Sequence, residues 1–167
     1  MSYLTVPLNS KHERNKFLCG KDLLDNYFRK QAKQDVKRKL SVCFVSVENK
    51  TGCISGYYTL SAISISNVLI PDSFRKNLPK SYSSVPAILL GRLAIDKHFQ
   101  GQGIGKLLLI DALRRCNDTS HLIGAFAVIV DPLDAGAERF YRKYGFIKLP
   151  DSGKMFLPMK TIQDLFE

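Results

Sequence analysis

The sequence predicts an α/β (α+β) fold, a mixed central sheet of about six or seven strands with helices against it. Three stretches carry that reading. Residues 88–96, Ile-Leu-Leu-Gly-Arg-Leu-Ala-Ile-Asp, are an apolar run. The step Gln100-Gly101-Gln102-Gly103-Ile104-Gly105 joins them to an amphipathic run from Ile104, with Leu107, Leu108, Ala112 and Leu113 at helical spacing; together they read as strand, glycine loop and helix. Residues 41–47 and 53–64 are rich in β-branched and aromatic side chains and flank Asn49-Lys50-Thr51-Gly52, which marks a hairpin. Residues 122–130 are apolar throughout, as suits a buried central strand.

The other elements follow in chain order. Residues 1–16 are mixed and polar, a first strand with a loop. After Cys19-Gly20, the side chains Leu23, Leu24, Tyr27, Phe28 and Ala32 recur at three-and-four spacing, so this is a helix with one apolar face. Its other face carries Arg29, Lys30, Lys33, Lys37, Arg38 and Lys39, either a solvated basic face or a docking face for a polyanion. Gly56 is a candidate bulge in the second hairpin strand. Residues 65–86 hold Pro71, Pro79 and Pro86 and read as a loop with a short helix around 73–78, long enough to face a substrate or simply to connect. Residues 135–144 form a short helix closed by Gly145. Residues 146–149 and 155–159 make a last hairpin across Asp151-Ser152-Gly153, and 161–167 are a tail or a short terminal helix. No repeat or composition shift divides the chain, so residues 1–167 are expected to form one domain.

The net charge of +10 and pI near 9.5 speak about partners: nucleic acid first, an acidic protein second. No apolar run reaches the ~20 residues of a membrane span, and the start lacks the basic leader and apolar stretch of a secretory signal, so a cytoplasmic protein is expected. Cys19, Cys43, Cys53 and Cys116 form no CxxC pair and no ligand spacing with His12, His98 or His121; free thiols and no metal are expected.

The glycine loop is the chemical feature. Glycine lets the backbone turn tightly and approach a ligand, and the first turn of a helix offers unpartnered N–H groups at a positive dipole end. Such a site favours an anion, typically a phosphate, and Lys106 adds a point charge. A Walker loop is rejected, because Gly105-Lys106 is followed by Leu107 where Ser or Thr is needed. The dinucleotide pattern fits poorly, with glycines at 101, 103 and 105 and no acid closing a second strand about 20 residues on. The pattern Gln/Arg-x-x-Gly-x-Gly/Ala, which cradles the diphosphate of coenzyme A, is satisfied in full by Gln100 to Gly105.

With Gly91-Arg92-Leu93-Ala94-Ile95-Asp96 ahead of that loop, and Glu138-Arg139-Phe140-Tyr141-Arg142-Lys143-Tyr144-Gly145-Phe146 after it, the chain resembles the GNAT acetyltransferase superfamily. Two weaker echoes, Phe17-Leu18-Cys19-Gly20 with Leu24-Asp25, and Gly56-Tyr57-Tyr58-Thr59-Leu60, are most similar to the acetyltransferase toxins of bacterial toxin–antitoxin pairs. The resemblance implies a GNAT-like domain whose sheet is splayed at the cofactor site, with acetyl-coenzyme A as co-substrate and no metal. It implies that Gln100, Gly101, Gln102, Gly103, Ile104, Gly105 and Lys106 hold the diphosphate, and that Leu93, Ala94 and Ile95 bind the pantetheine arm and polarise the thioester through their main chain. Tyr141 matches the family's proton donor to the departing thiolate, with Tyr144 as the fallback and core packing as the plain alternative for both.

A base for the attacking amine is missing from residues 88–96, where the only carboxylate is Asp96. A lysine amine, pKa about 10.4, needs such a base near neutral pH; an α-amine, pKa about 7.7 to 8.0, is already partly neutral. That and the basic surface point to aminoacyl-tRNA, the substrate the toxin resemblance implies. Arg92, Lys30, Lys33 and Lys37 are the candidate rim for its phosphates, structural ion pairing being the other reading of Arg92. The same resemblance implies a ribbon-helix-helix antitoxin and a homodimer. Two other readings stay open here: an acetyltransferase of protein lysines or small amines, and a non-catalytic module that binds nucleic acid or a partner.

Overall fold

Seven strands form one mixed sheet in a computed structural model that describes residues 2–167. They are β1 (Val6–Pro7), β2 (Val42–Val47), β3 (Ile54–Ser66), β4 (Ser84–Ile95), β5 (Ala127–Val130), β6 (Ile147–Lys148) and β7 (Met155–Pro158), in the order β1-β2-β3-β4-β5-β7-β6. The β4–β5 pair is parallel; β1–β2, β2–β3, β5–β7 and β6–β7 are antiparallel. By its internal contacts the chain falls into two compact units: the stretch ending at Ser61 with Gly91–Leu113, and Ala62–Leu90 with Arg114–Glu167.

In the first unit, the period of two along β3 sends the neighbours Tyr57 and Tyr58 to opposite faces. Tyr57 enters an aromatic cluster, stacked on Phe28 with centroids 4.3 Å apart and edge-on to Phe17 at 5.4 Å; Ala32, Cys43, Val45 and Ala94 complete it. Each ring buried this way stabilises by about 2–3 kcal/mol. The polar tip of Tyr57 is satisfied, its hydroxyl donating to Leu24 O at 2.8 Å. On the other face Tyr58 donates to Asp111 Oδ2 at 2.7 Å, on helix α4 (Ile104–Ser120). Asp111 also accepts from Leu4 N at 2.6 Å and from the Thr5 hydroxyl, so one buried carboxylate ties the N-terminal segment, β3 and α4 together.

The strand expected at 53–64 is longer, and its bulge falls one residue before Gly56. Ser46 lies opposite Gly56 but Val47 opposite Ile54, which leaves Ser55 as the extra residue. Gly56 serves close approach instead: a Cβ there would lie 2.6 Å from Leu108 Cδ1 and 2.9 Å from Ala94 O. The predicted basic helix is α1 (Asp22–Asn26) and α2 (Ala32–Lys37) joined through a π-turn (Tyr27–Gln31). Arg14 Nη1 donates to two carbonyls of that turn, Phe28 O at 3.2 Å and Arg29 O at 3.0 Å. Leu23, expected on the apolar face, is 70 % exposed, while Asp25 and Asp35 are buried. Leu107 is likewise half exposed, and Leu109 takes its place beside Leu108, Ala112 and Leu113 on the buried side of α4.

In the second unit, the core gathers Ile65, Ile70, Val85, Ala87, Ala127, Ile129, Leu149 and Phe156. The expected loop at 65–86 is shorter: Ile65 and Ser66 still belong to β3, a 3₁₀ turn covers Asn67–Leu69, α3 spans Asp72–Arg75, and Pro86 already lies inside β4. The strand expected at 122–130 contracts to β5. The amides of Leu122 and Ile123 both donate to Thr119 O at 2.9 Å, closing the end of α4, and both side chains are exposed. Apolar character there does not mean burial. Helix α5 (Ala135–Lys143) is capped by Asp134, whose Oδ1 accepts from Ala137 N at 2.8 Å, and ends before Gly145 with φ +94°. The last hairpin forms as expected, and the terminal stretch is a helix, α6 (Met159–Phe166). No helix among the described residues is long and apolar enough to cross a membrane.

Replacing Asp111 by Ala strands at least two buried donors, and each such group costs about 1–3 kcal/mol. The expected loss in urea unfolding is therefore roughly 3 kcal/mol or more, and Asp111→Ala with under about 1 kcal/mol of loss would contradict the tie described here.

Candidate active site

β4 pairs with β5 over Ile88–Leu90 and then runs on to Ile95. This outrunning segment holds the predicted thioester strand. Ala94 is buried in the aromatic cluster; Leu93 and Ile95 are half-buried.

Asp96 follows at once and turns the chain. Its Oδ1 accepts from His98 N and lies 2.9 Å from His98 Nδ1, while its Oδ2 accepts from Leu18 N at 3.0 Å. Burial alone would raise this carboxyl, but the Leu18 amide and the His98 amide and ring together hold it below the ordinary carboxylate range. Asp96 is therefore a charged cap for the 3₁₀ turn Lys97–Phe99, with both oxygens engaged, and a poor base for an amine.

The glycine loop comes next. Gly101 and Gly103 adopt φ +77° and +78°, a region that favours glycine. A Cβ at either would meet nothing within 4 Å, so backbone conformation and not crowding demands glycine. Helix α4 begins at Ile104, and the Leu107 amide donates to Gly103 O at 3.3 Å. Among the described residues, the N–H groups of Gly101, Gln102, Gly103, Ile104, Gly105 and Lys106 have no acceptor. Six donors at the positive end of a 17-residue helix, with exposed Lys106 beside them, suit a diphosphate.

Gln100 differs from the rest of the motif. Its side-chain nitrogen donates to Ile95 O and to Cys19 O, both at 2.8 Å, so the side chain braces the entry to the loop.

Arg92 has no ion-pair partner among the described residues, yet it is held in place. Its guanidinium lies 3.5 Å above the Tyr27 ring, and the Tyr27 hydroxyl donates to Asp35 Oδ2 at 3.0 Å. Its N–H groups have no acceptor among the described residues. Lys30, Lys33 and Lys37 are exposed along the helical run.

Tyr141 lies in the other unit, on α5. It is buried edge-on to Phe140 at 5.2 Å and Phe146 at 5.3 Å, and burial pushes its phenol well above the ordinary value. Its hydroxyl has no hydrogen-bond partner among the described residues. A phenol kept neutral and unengaged is fit to donate a proton. Tyr144 caps the helix end, half-buried, edge-on to Phe140 at 5.1 Å.

The first unit thus holds together Arg92, the 93–95 strand, the glycine loop and the three lysines; Tyr141 stands in the second. Sequence reasoning reads Tyr27 only as part of an apolar face and Asp25 only as part of a motif, and gives Asp35 no role. The available signal was an acid falling on the apolar stripe of a helix.

Comparison with known proteins bears on this site. The family model for the acetyltransferase (GNAT) domain matches residues 83–161. A tRNA-acetylating toxin of Mycobacterium tuberculosis is 37% identical over 150 residues, covering 89% of this chain and 87% of its own. The solved structure of AtaT complexed with acetyl-methionyl-tRNAfMet is 28% identical, with a TM-score of 0.89 over 99% of this chain and 100% of that one. A variant of AtaT bound to the C-terminus of the antitoxin AtaR and acetyl-CoA is 26% identical, with a TM-score of 0.80 over 97% of this chain and 96% of that one. A chain with this strand, this loop and this kinship belongs to the GNAT acetyltransferases, in the group of tRNA-acetylating toxins.

Proposed function

We propose that this chain transfers acetyl from acetyl-coenzyme A to the α-amine of aminoacyl-tRNA and so stops translation. The row of unpartnered amides from Gly101 to Lys106 carries the reading, since it suits the diphosphate of the co-substrate. The outrunning end of β4 offers Leu93, Ala94 and Ile95 for the amide-bearing pantetheine arm, and a main-chain N–H there to the thioester oxygen.

The neutral amine attacks the thioester carbon, the N–C bond forms, and the C–S bond breaks. The departing thiolate takes the proton of the Tyr141 hydroxyl, and the proton released from nitrogen returns to the tyrosinate through solvent. The engagement of both Asp96 oxygens favours an amine that needs no carboxylate base, as an aminoacyl ester's amine is. Arg92, stacked but with open donors, together with Lys30, Lys33 and Lys37, supplies positive charge for acceptor-stem phosphates. The same basic face would receive the acidic tail of a ribbon-helix-helix antitoxin, and the toxin is read as a homodimer.

The direct test is incubation of total charged tRNA with acetyl-coenzyme A and the protein, then mass analysis of the aminoacyl groups. A gain of one acetyl is expected; no product from any tRNA pool overturns the reading. Tyr141→Phe should lower kcat about 10²–10³-fold, the range a positioned proton donor supplies, and an unchanged rate would remove Tyr141 from the chemistry. Because burial raises the Tyr141 phenol, the rate should climb with pH through the amine's pKa and show no falling limb before about pH 10. Asp96→Asn should leave kcat within about tenfold of the parent; a loss of about 10²-fold or more would mean that a carboxylate base acts, and lysine or a small amine becomes the better substrate. Replacing Lys30, Lys33 and Lys37 together by Ala should reduce the slope of log binding against log salt for tRNA by roughly 2–3, a value near zero placing those lysines off the interface.

A further inference from the structure

The motif Phe17-Leu18-Cys19-Gly20 with Asp25 has no part in the chemistry above, yet its contacts lead to the glycine loop. Asp25 is a carboxylate only 2% exposed. Its oxygens take the amides of Cys19 at 2.7 Å and Gly20 at 3.2 Å, fixing a turn in which Gly20 has φ +98°. That turn is fastened to the segment ahead of the glycine loop at three points. Leu18 N donates to Asp96 Oδ2 at 3.0 Å, Lys97 N donates to Leu18 O at 2.8 Å, and Gln100 Nε2 donates to Cys19 O at 2.8 Å. The same Gln100 nitrogen also donates to Ile95 O at 2.8 Å, where the chain leaves β4.

We propose that Asp25 and Gln100 are positioning residues for the diphosphate cradle, acting in series: Asp25 sets the turn at 18–20, the turn holds the Gln100 amide, and Gln100 sets the direction in which the glycine loop departs. The inference rests on the coenzyme A reading above. Two left-handed glycines make the loop mobile unless its entry is held, and a mobile cradle must be ordered when the ligand binds, at the expense of affinity. A side chain whose N–H bonds reach both the end of β4 and the 18–20 turn removes that freedom beforehand. It also makes Gln100 a brace for the cradle and not one of its ligands.

The test is calorimetric titration of coenzyme A into the full-length protein and its variants Asp25→Asn, Gln100→Leu and the double variant, each checked for folding by circular dichroism and thermal melting. Each single change should raise Kd about tenfold by loosening the cradle, and KM for acetyl-coenzyme A should rise in step. Saturating acetyl-coenzyme A should bring kcat back to within about twofold of the parent, the signature of lost binding without lost chemistry. If the two residues act in series, the double variant should be no weaker than about the poorer single one, whereas independent contributions would multiply. Gln100 is exposed, so Gln100→Leu keeps the test valid even if Asp25→Asn fails to fold. Gln100→Leu binding coenzyme A as tightly as the parent, or losses that multiply in the double variant, would overturn the proposal. If the parent protein itself takes up no coenzyme A, the acetyltransferase reading falls first and this inference with it.

Discussion

The first N–H groups of a helix have no acceptor within the helix, and something outside it must meet them. This chain resolves that constraint in two ways. At α5 an aspartate side chain, Asp134, meets the Ala137 amide. At α4 two left-handed glycines deliver the chain to the helix start with no such cap, and the amides from Gly101 to Lys106 stay open. The surroundings are consistent with that opening being needed. The strand ahead outruns its parallel neighbour, Asp96 turns the chain, and Gln100 ties the loop's entry to Ile95 O and Cys19 O. A cap residue in place of Gly103 would satisfy the helix and leave an anion fewer donors.

The buried acids of the first unit sharpen the electrostatics. Asp25 accepts two backbone amides and Asp35 accepts the Tyr27 hydroxyl, and among the described residues neither pairs with a lysine or arginine. Arg14 and Arg29 do turn inward, but toward main-chain carbonyls, which leaves their charge uncancelled. Pairing inside the molecule cannot change a net charge, so the surplus of +10 stands as a field around it. For a ligand with a diphosphate and a partner with a phosphate backbone, that favours encounter as well as grip.

Much of this was legible in the residues, and the failures have physical causes. Strand, glycine loop and helix across 88–115 could be read because periodicity and glycine are local signals. Leu122, Ile123, Leu23 and Leu107 misled because an apolar side chain can cap or flank an element without being buried. Gly56 looked like a bulge, but a bulge needs only one extra residue, and Ser55 supplies it; the glycine answers to Leu108 and Ala94, which no local pattern could reveal. The Gln100 side chain fitted a ligand-binding motif, while of its actual partners Ile95 O is near in the chain and Cys19 O is 81 residues away. The burial of Tyr141 was foreseeable from its aromatic neighbours in sequence; the unengaged state of its hydroxyl was not.

The π-turn at Tyr27–Gln31 has a consequence for how the basic helix evolves. Leu24, Phe28, Ala32 and Val36 all reach the aromatic cluster at four-residue steps. In an unbroken α-helix each such step overshoots a full turn by about 40°, so three of them would swing the last contact ~120° away from the first. The wider turn takes back part of that rotation, and Arg14 occupies the carbonyls it displaces. A relative lacking one residue in this stretch would regain a regular helix and present a different set of cations to the outside. Length variation at this single point is thus a route by which the chain can retune its charged face while the rest of the scaffold stays as it is.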